Sequence, residues 1–184
     1  WGAREADSSP WADGTPLPTG QGAWDGGDGG IMLHIAESAT RFTPAEVWEH
    51  RNPWIVDQLA LAQDSVGPGQ WRGGPGLNLD IRAVEDHHIT TVFERSLNAP
   101  WGLMGGGFAR PNKCLATMPD GTVHEISKAT HFLMPKGAVL NMRTGGGGGY
   151  GDPKDRPVES VRNDLDEGYI TEEYARKHYP HAFA

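Results

Sequence analysis

Apolar and polar positions alternate most regularly at Leu77, Leu79, Ile81 and Ala83, interleaved with Asn78, Asp80 and Arg82. This period of two predicts a strand buried on one face. Residues 88–93 (HITTVF) are β-branched and suit a pleated surface, so they are expected to be its partner. The stretches 115–118 and 122–126 flank Pro119-Asp120-Gly121 in a hairpin pattern. Pro and Asp suit the centre of a type I turn and Gly suits its exit. Another strand is predicted over 138–142. The period then changes: Val158, Val161 and Leu165 share one helical face, and Gly168 is a natural stop. Thr171 should cap a last helix with Glu172 and Glu173 in its first turn and Arg176, Lys177 and His178 near its end, an order that complements the helix dipole. Upstream, Thr43-Pro44-Ala45-Glu46 predicts a short helix with Thr43 at the N-cap and Pro44 as first helical residue, ended by Asn52-Pro53. The fold class expected is α+β, a β-rich core with Gly-rich loops and a short C-terminal helical tail.

Glycine interrupts this pattern in blocks. Of 26 glycines in 184 residues, 21 fall within 20–30, 67–76, 102–107 and 145–151. They lack the every-third-residue period of collagen and their flanks are periodic, which predicts a scaffold with tight backbone passages. Residues 1–30 are polar, Gly/Pro-rich and aperiodic, and are expected to form an extended arm preceding a folded unit over 31–184.

Seven Trp, five Phe and four Tyr argue against wholesale disorder. No apolar run approaches the roughly 20 residues of a membrane helix. A net charge of −8 gives no general attraction for phosphate backbones, so nucleic acid and membrane are not expected partners. The single Cys114 excludes an internal disulfide framework and fits a cytoplasmic location. The start at Trp1, without a leader pattern, suggests a processed or truncated polypeptide.

Among candidate chemical motifs, residues 144–153 (TGGGGGYGDP) are the most unusual. Consecutive glycines could aim amide groups into an anion-binding nest, or could simply let backbone pack on backbone. A phosphate-binding loop would need Gly-Lys-Ser/Thr here, and Asp152 would repel a phosphate unless a metal intervened. In residues 64–76 (DSVGPGQWRGGPG), Arg72 could reach a carboxylate or phosphate with both arms of its guanidinium, or could pair structurally with Asp64. Arg143 and Arg156 flank the five-glycine block and carry the same two readings. His87 and His88 would point to opposite faces of a strand, and no His-Glu-x-x-His or Cys-x-x-Cys spacing exists, so no metal ligand is expected on this chain. Cys114 reads as a buried, inert thiol.

Taken in order, Thr43 to Glu49 (TPAEVWE), Asp64 to Gly69 (DSVGPG), Arg72 to Gly76 (RGGPG), Glu94-Arg95, Pro100 to Gly106 (PWGLMGG), Gly145 to Arg156 (GGGGGYGDPKDR) and the helical tail resemble the C-terminal part of the hydantoinase B/oxoprolinase family. That family includes N-methylhydantoinase subunits, 5-oxoprolinases and acetone or acetophenone carboxylase subunits. The resemblance implies that residues 31–184 are the C-terminal part of a hydantoinase B-like domain in a cytoplasmic ATP-dependent hetero-oligomer. A hydantoinase A-like subunit would handle the nucleotide and phosphorylate a carbonyl or amide oxygen. The B-like part would complete hydrolysis of a cyclic amide or carboxylation of a ketone. ATP and a divalent metal are implied for the complete complex and neither for this chain alone, because the family's Gly-Thr-His metal pattern lies in an N-terminal portion and has no counterpart here. Arg72, Asp152 and Arg156 are the candidate catalytic residues, in glycine loops forming active-site wall or subunit interface. A non-catalytic assembly module, docked through an exposed arm bearing Trp1, Trp11 and Trp24, is the alternative.

Overall fold

The computed structural model describes residues 2–11, 17–31 and 43–183. In chain order the elements are β1 (Gly2–Arg4), β2 (Pro10–Trp11), α1 (Ala45–Arg51), β3 (Trp54–Ala62), β4 (Gly76–Ala83), β5 (His87–Val92), β6 (Lys113–Thr117), β7 (Val123–Glu125), β8 (Lys128–Met134), β9 (Val139–Arg143), α2 (Val158–Asp166) and α3 (Glu172–His178). Two antiparallel sheets, ordered β2-β1-β5-β8 and β3-β4-β9-β6-β7, share one apolar core. The fold is α+β.

Strand alternation builds that core. Leu79, Ile81 and Ala83 of β4 turn inward, and register places Leu79 beside Met142 and Ile81 beside Leu140 of β9. Cys114 and Ala116 of β6 extend the same two rows. Ile89 of β5 and Met134 of β8 cover them from the second sheet. Each fully buried Leu, Ile or Met contributes roughly 1.5–3 kcal/mol. At one end, Trp54 meets Trp11 edge-on at 4.5 Å between ring centroids and Trp48 of α1 at 5.4 Å. Trp11 is therefore a core residue, which corrects its expected place on an exposed arm.

Residues 88–93 do not pair with 77–83. β4 lies between β3 and β9, while β5 lies between β1 and β8 in the other sheet. Both strands carry an apolar face, and those faces meet across the core, so the link at 84–86 is a corner between layers and not a hairpin turn. β3 escapes the period-two signal because it is an edge strand with Ile55, Leu59 and Leu61 exposed. The 115–126 hairpin forms as expected, with Met118 accepting from the amide of Gly121. α1 begins one residue late: Pro44 occupies the N-cap without a side-chain bond, and Thr43 does not cap it.

The tail matches its pattern closely. Gly168 has φ +72°, and the Thr171 hydroxyl accepts from the Tyr174 amide at 3.1 Å. Asp64 binds the Thr171 amide at 2.7 Å and hydroxyl at 2.8 Å, so its partner is the start of α3 and not Arg72. Val161, Ile170, Ala175 and Tyr179 close with Val66 into a second small core.

Candidate functional site

The four glycine segments run against one another as a lattice of backbone contacts. The Gly20 amide donates to Gly145, Gly67 to Gly147, Gly107 to Pro68, Gly74 to Gln21 and Ala23 to Gly148. A Cβ on Gly73 would land on the carbonyl oxygen of Gly147, and one on Gly147 on that of Gln21. Side chains are excluded there by the approach itself. The amides of Gly145, Gly147 and Gly149 donate to Asn112 Oδ1, Gly74 O and Gly107 O, so they are not aimed at a phosphate. Across this block, backbone packs on backbone.

A buried ionic chain joins the lattice to the helical tail. Asp164 of α2 accepts from Arg72 Nε at 2.7 Å and from Arg156 Nε and Nη2 at 3.1 and 2.7 Å. Arg156 grips Asp28 with both terminal nitrogens, at 2.8 and 2.9 Å, and donates to Gln70 O at 3.0 Å. Asp28 also accepts the Arg72 amide at 2.8 Å. The Arg72 guanidinium lies 4.5 Å from the Tyr169 ring centroid, a cation–π contact. Arg72, Arg156 and Asp164 are all buried. Burial alone would lift the Asp28 carboxyl and depress the Arg156 guanidinium, but their mutual hydrogen bonds and charges reverse both, holding Asp28 low and Arg156 high. Arg72 and Arg156 thus come together around Asp164.

Asp152 stands apart. Its carboxylate accepts from the Lys154 amide at 3.0 Å and pairs with Lys154 Nζ at 2.6 Å, capping a 3-10 turn over Pro153–Asp155. Its side chain is 43% exposed, and the Lys154 hydrogen bonds hold its carboxyl below the usual range. Arg143 is held by Asp80 of β4. Sequence reasoning missed Asp28 and Asp164. Their signal was weak: two arginines bracketed by glycines imply buried carboxylates, but nothing local marks which acids supply them.

Among the described residues, no three His, Cys, Asp or Glu side chains converge to hold a metal ion. The described residues therefore do not themselves supply a site for the metal implied for the complete complex. His87 points inward, 6.0 Å from the Trp54 ring, while His88 points outward and stacks on His131 at 3.7 Å, on opposite faces as expected. Burial pushes the Cys114 thiol up to about 12, consistent with an inert core residue. Among the described residues, no helix is long and apolar enough to cross a membrane.

The PWGLMGG motif forms a surface feature that its sequence did not announce. The loop 101–108 is pinned by backbone bonds from Leu103 to Gly149, Gly151 to Leu103 and Ala109 to Pro100, yet displays Trp101, Leu103, Met104 and Phe108 to solvent. Met104 holds φ +52°, an uncommon conformation for a residue with a side chain. Trp24 is half-exposed, and Trp1 lies outside the described residues.

The fold superposes on the nucleotide-free structure of acetone carboxylase with a TM-score of 0.81 at 21% identity, covering 97% of this chain and 28% of that one. It superposes on ATP-dependent caprolactamase from Pseudomonas jessenii with a TM-score of 0.75 at 26% identity, covering 89% and 29%. The 5-oxoprolinase PfmaA of Pestalotiopsis fici is 33% identical over 150 residues, 78% of this chain and 12% of that protein. The chain spans only 11–24% of the length of the first curated relatives it matches. The family profile described as hydantoinase B/oxoprolinase matches residues 1–153. Because that profile spans well over half of the sequence, the chain belongs to the hydantoinase B/oxoprolinase family.

Proposed function

We propose that this chain is the C-terminal part of a hydantoinase B-like subunit in an ATP-dependent enzyme acting on a cyclic amide or a ketone. The observation that carries the reading is the pairing of near-complete fold coverage with a small share of the relatives' length: 97% of this chain aligns with 28% of the acetone carboxylase chain and 89% with 29% of the caprolactamase chain. A hydantoinase A-like subunit supplies ATP handling, and an N-terminal hydantoinase B-like portion supplies the metal. Phosphorylation of a lactam or ketone oxygen suits either reaction, because the bare oxygen is a poor leaving group and the phosphorylated one departs or stores the enol.

Within that enzyme the glycine lattice forms wall or interface. Arg72 and Arg156 are positioning residues that fix the lattice to α2 through Asp164. Asp152, half-exposed after the five-glycine block, is the one of the three able to touch a substrate. In the assembled enzyme, Asp152→Asn should lower turnover about tenfold or more, the worth of one charge-assisted hydrogen bond.

The second reading, a non-catalytic assembly module, is favoured by the exposed Trp101, Leu103, Met104 and Phe108 on a loop held by backbone hydrogen bonds. Rigid apolar anchors are typical of interface hot spots. The docking partner in that reading is the N-terminal hydantoinase B-like portion. The test is to purify the complex through this chain from its source, weigh its components by native mass spectrometry and measure ATP hydrolysis with cyclic amides and with ketones. Larger co-purifying chains and substrate-stimulated ATP hydrolysis support the enzyme reading. A lone 19.9 kDa chain without such stimulation overturns it. Trp101→Ser with Phe108→Ser breaking assembly, while Asp152→Asn leaves turnover intact, selects the assembly module.

A further inference from the structure

A cleft of two adjoining cavities, about 540 and 390 Å³, opens between the segment 93–98 and the strands β6, β7 and β9, sharing Ser96, Lys113 and Glu125 as walls. Its volume suits a small molecule. Its charge is unlike that of the protein as a whole, which carries −8. Three of its cations are compensated: Lys128 by Glu94 at 2.6 Å, Lys113 by Glu125 at 3.4 Å and Arg143 by Asp80. Two are not. Arg95 is exposed at the lip of the larger cavity and forms no ion pair among the described residues. Arg110, half-buried, lines the smaller cavity with no carboxylate within ion-pair distance among the described residues.

Arg110 is also short of hydrogen-bond acceptors. Nη2 makes two long contacts, 3.2 Å to Thr144 O and 3.3 Å to Asn78 Oδ1, and the buried Nε has no acceptor. Burial and the neighbouring Arg143 charge hold its pKa below the ordinary arginine value. A half-buried guanidinium beside a second one, in an acidic protein, is an unfavourable local arrangement that an anion would relieve. The backbone around it is fixed: the Arg110 amide donates to Ser65 O at 2.9 Å, and Asn112 bonds Glu94 O through Nδ2 at 2.7 Å and Gly145 through Oδ1. Arg95 has φ +53°, a strained conformation at the lip.

We propose that this cleft is a binding site for a small oxyanion, a carboxylate or phosphoryl group, gripped by the Arg110 guanidinium with Arg95 closing over it from the lip. Guanidinium presents paired donors matched to the oxygen spacing of such groups. The site is separate from the Arg72–Asp164–Arg156 chain and independent of the proposed function, since the 184-residue chain itself should bind.

The test is a titration of the isotope-labelled full chain with sodium phosphate and, separately, sodium acetate, each against sodium chloride at matched ionic strength, followed by amide resonances. Saturable shifts at Ser96, Asn112 and Lys113 with a Kd in roughly the millimolar range are expected. Arg110→Gln should weaken the midpoint about tenfold or more, and Arg110→Lys less, because it keeps charge and loses the fork. Tighter phosphate assigns a phosphoryl group and tighter acetate a carboxylate. Saturation by neither anion, shifts that chloride reproduces, or an unchanged midpoint in Arg110→Gln would overturn the proposal. Should Arg110→Gln fail to fold, the exposed Arg95→Gln carries the test, and an unchanged midpoint there overturns it equally.

Discussion

Asp164→Asn is the most direct probe of the ionic chain that ties the helical tail to the glycine lattice. The carboxylate is 4% exposed, between side chains 8% and 2% exposed, and accepts three hydrogen bonds from the two guanidiniums. Asparagine keeps the shape, removes the charge and turns an NH2 group toward at least one donor. Two buried cations then share Asp28 alone. Removing one partner of a buried ion pair typically costs about 3–5 kcal/mol. For a chain of this size each kcal/mol lowers Tm by about 2–4 °C, so a fall of roughly 6–20 °C is expected in calorimetry at pH 7. Asp57→Asn, which breaks the solvent-facing pair with Arg82, is the control and should leave Tm unresolved from wild type. A double-mutant cycle with Arg72→Met isolates the pair: the double variant should lose less than the sum, by about 1 kcal/mol or more. A Tm loss under about 3 °C for Asp164→Asn, or strict additivity in the cycle, would refute the view that this carboxylate neutralises both arginines.

The remaining predictions concern backbone approach, protonation and thiol access. Gly147→Ala should destabilise by about 3 kcal/mol or more, since its Cβ would meet a backbone carbonyl that cannot rotate away, whereas Gly22→Ala, with 3.9 Å to its nearest atom, should melt with wild type. Burial holds the His87 pKa below its ordinary 6.5, so the folded state resists protonation. The stability this represents is complete above about pH 6.5 and is lost as pH falls through the lower folded value. Denaturant midpoints should therefore decline below about pH 6.5, and His87→Phe should flatten that decline; a slope unchanged in the variant would remove His87 as its source. Cys114, pushed up to about 12 in the fold, should resist iodoacetamide at about pH 8 in native protein and react once unfolded, where a thiol titrates near 8.5. Rapid labelling of the native chain would contradict its burial.

Features that depend on neighbours along the chain were legible before folding. The alternation of β4, the 115–126 hairpin, the α2 face, the Gly168 stop and the Thr171 cap all arise from residues within a few positions of one another. The ordered motifs also carried the family. Which strands lie edge to edge and which meet across a core was settled only in three dimensions, because β4 and β5 have equivalent apolar faces and a three-residue link serves either arrangement. The same holds for the union of the glycine blocks into one lattice, since a glycine shows only that something comes close, never what. Partners for charge were chosen there too. Arg72 joins an aspartate 92 positions away in place of Asp64, eight residues before it, because Asp64 is taken by the start of α3. Arg110, unmarked by any motif, gains its interest only from being enclosed near Arg143 with no carboxylate at ion-pair distance among the described residues. Burial turns such pairings into strong interactions, and burial is a property of the folded chain.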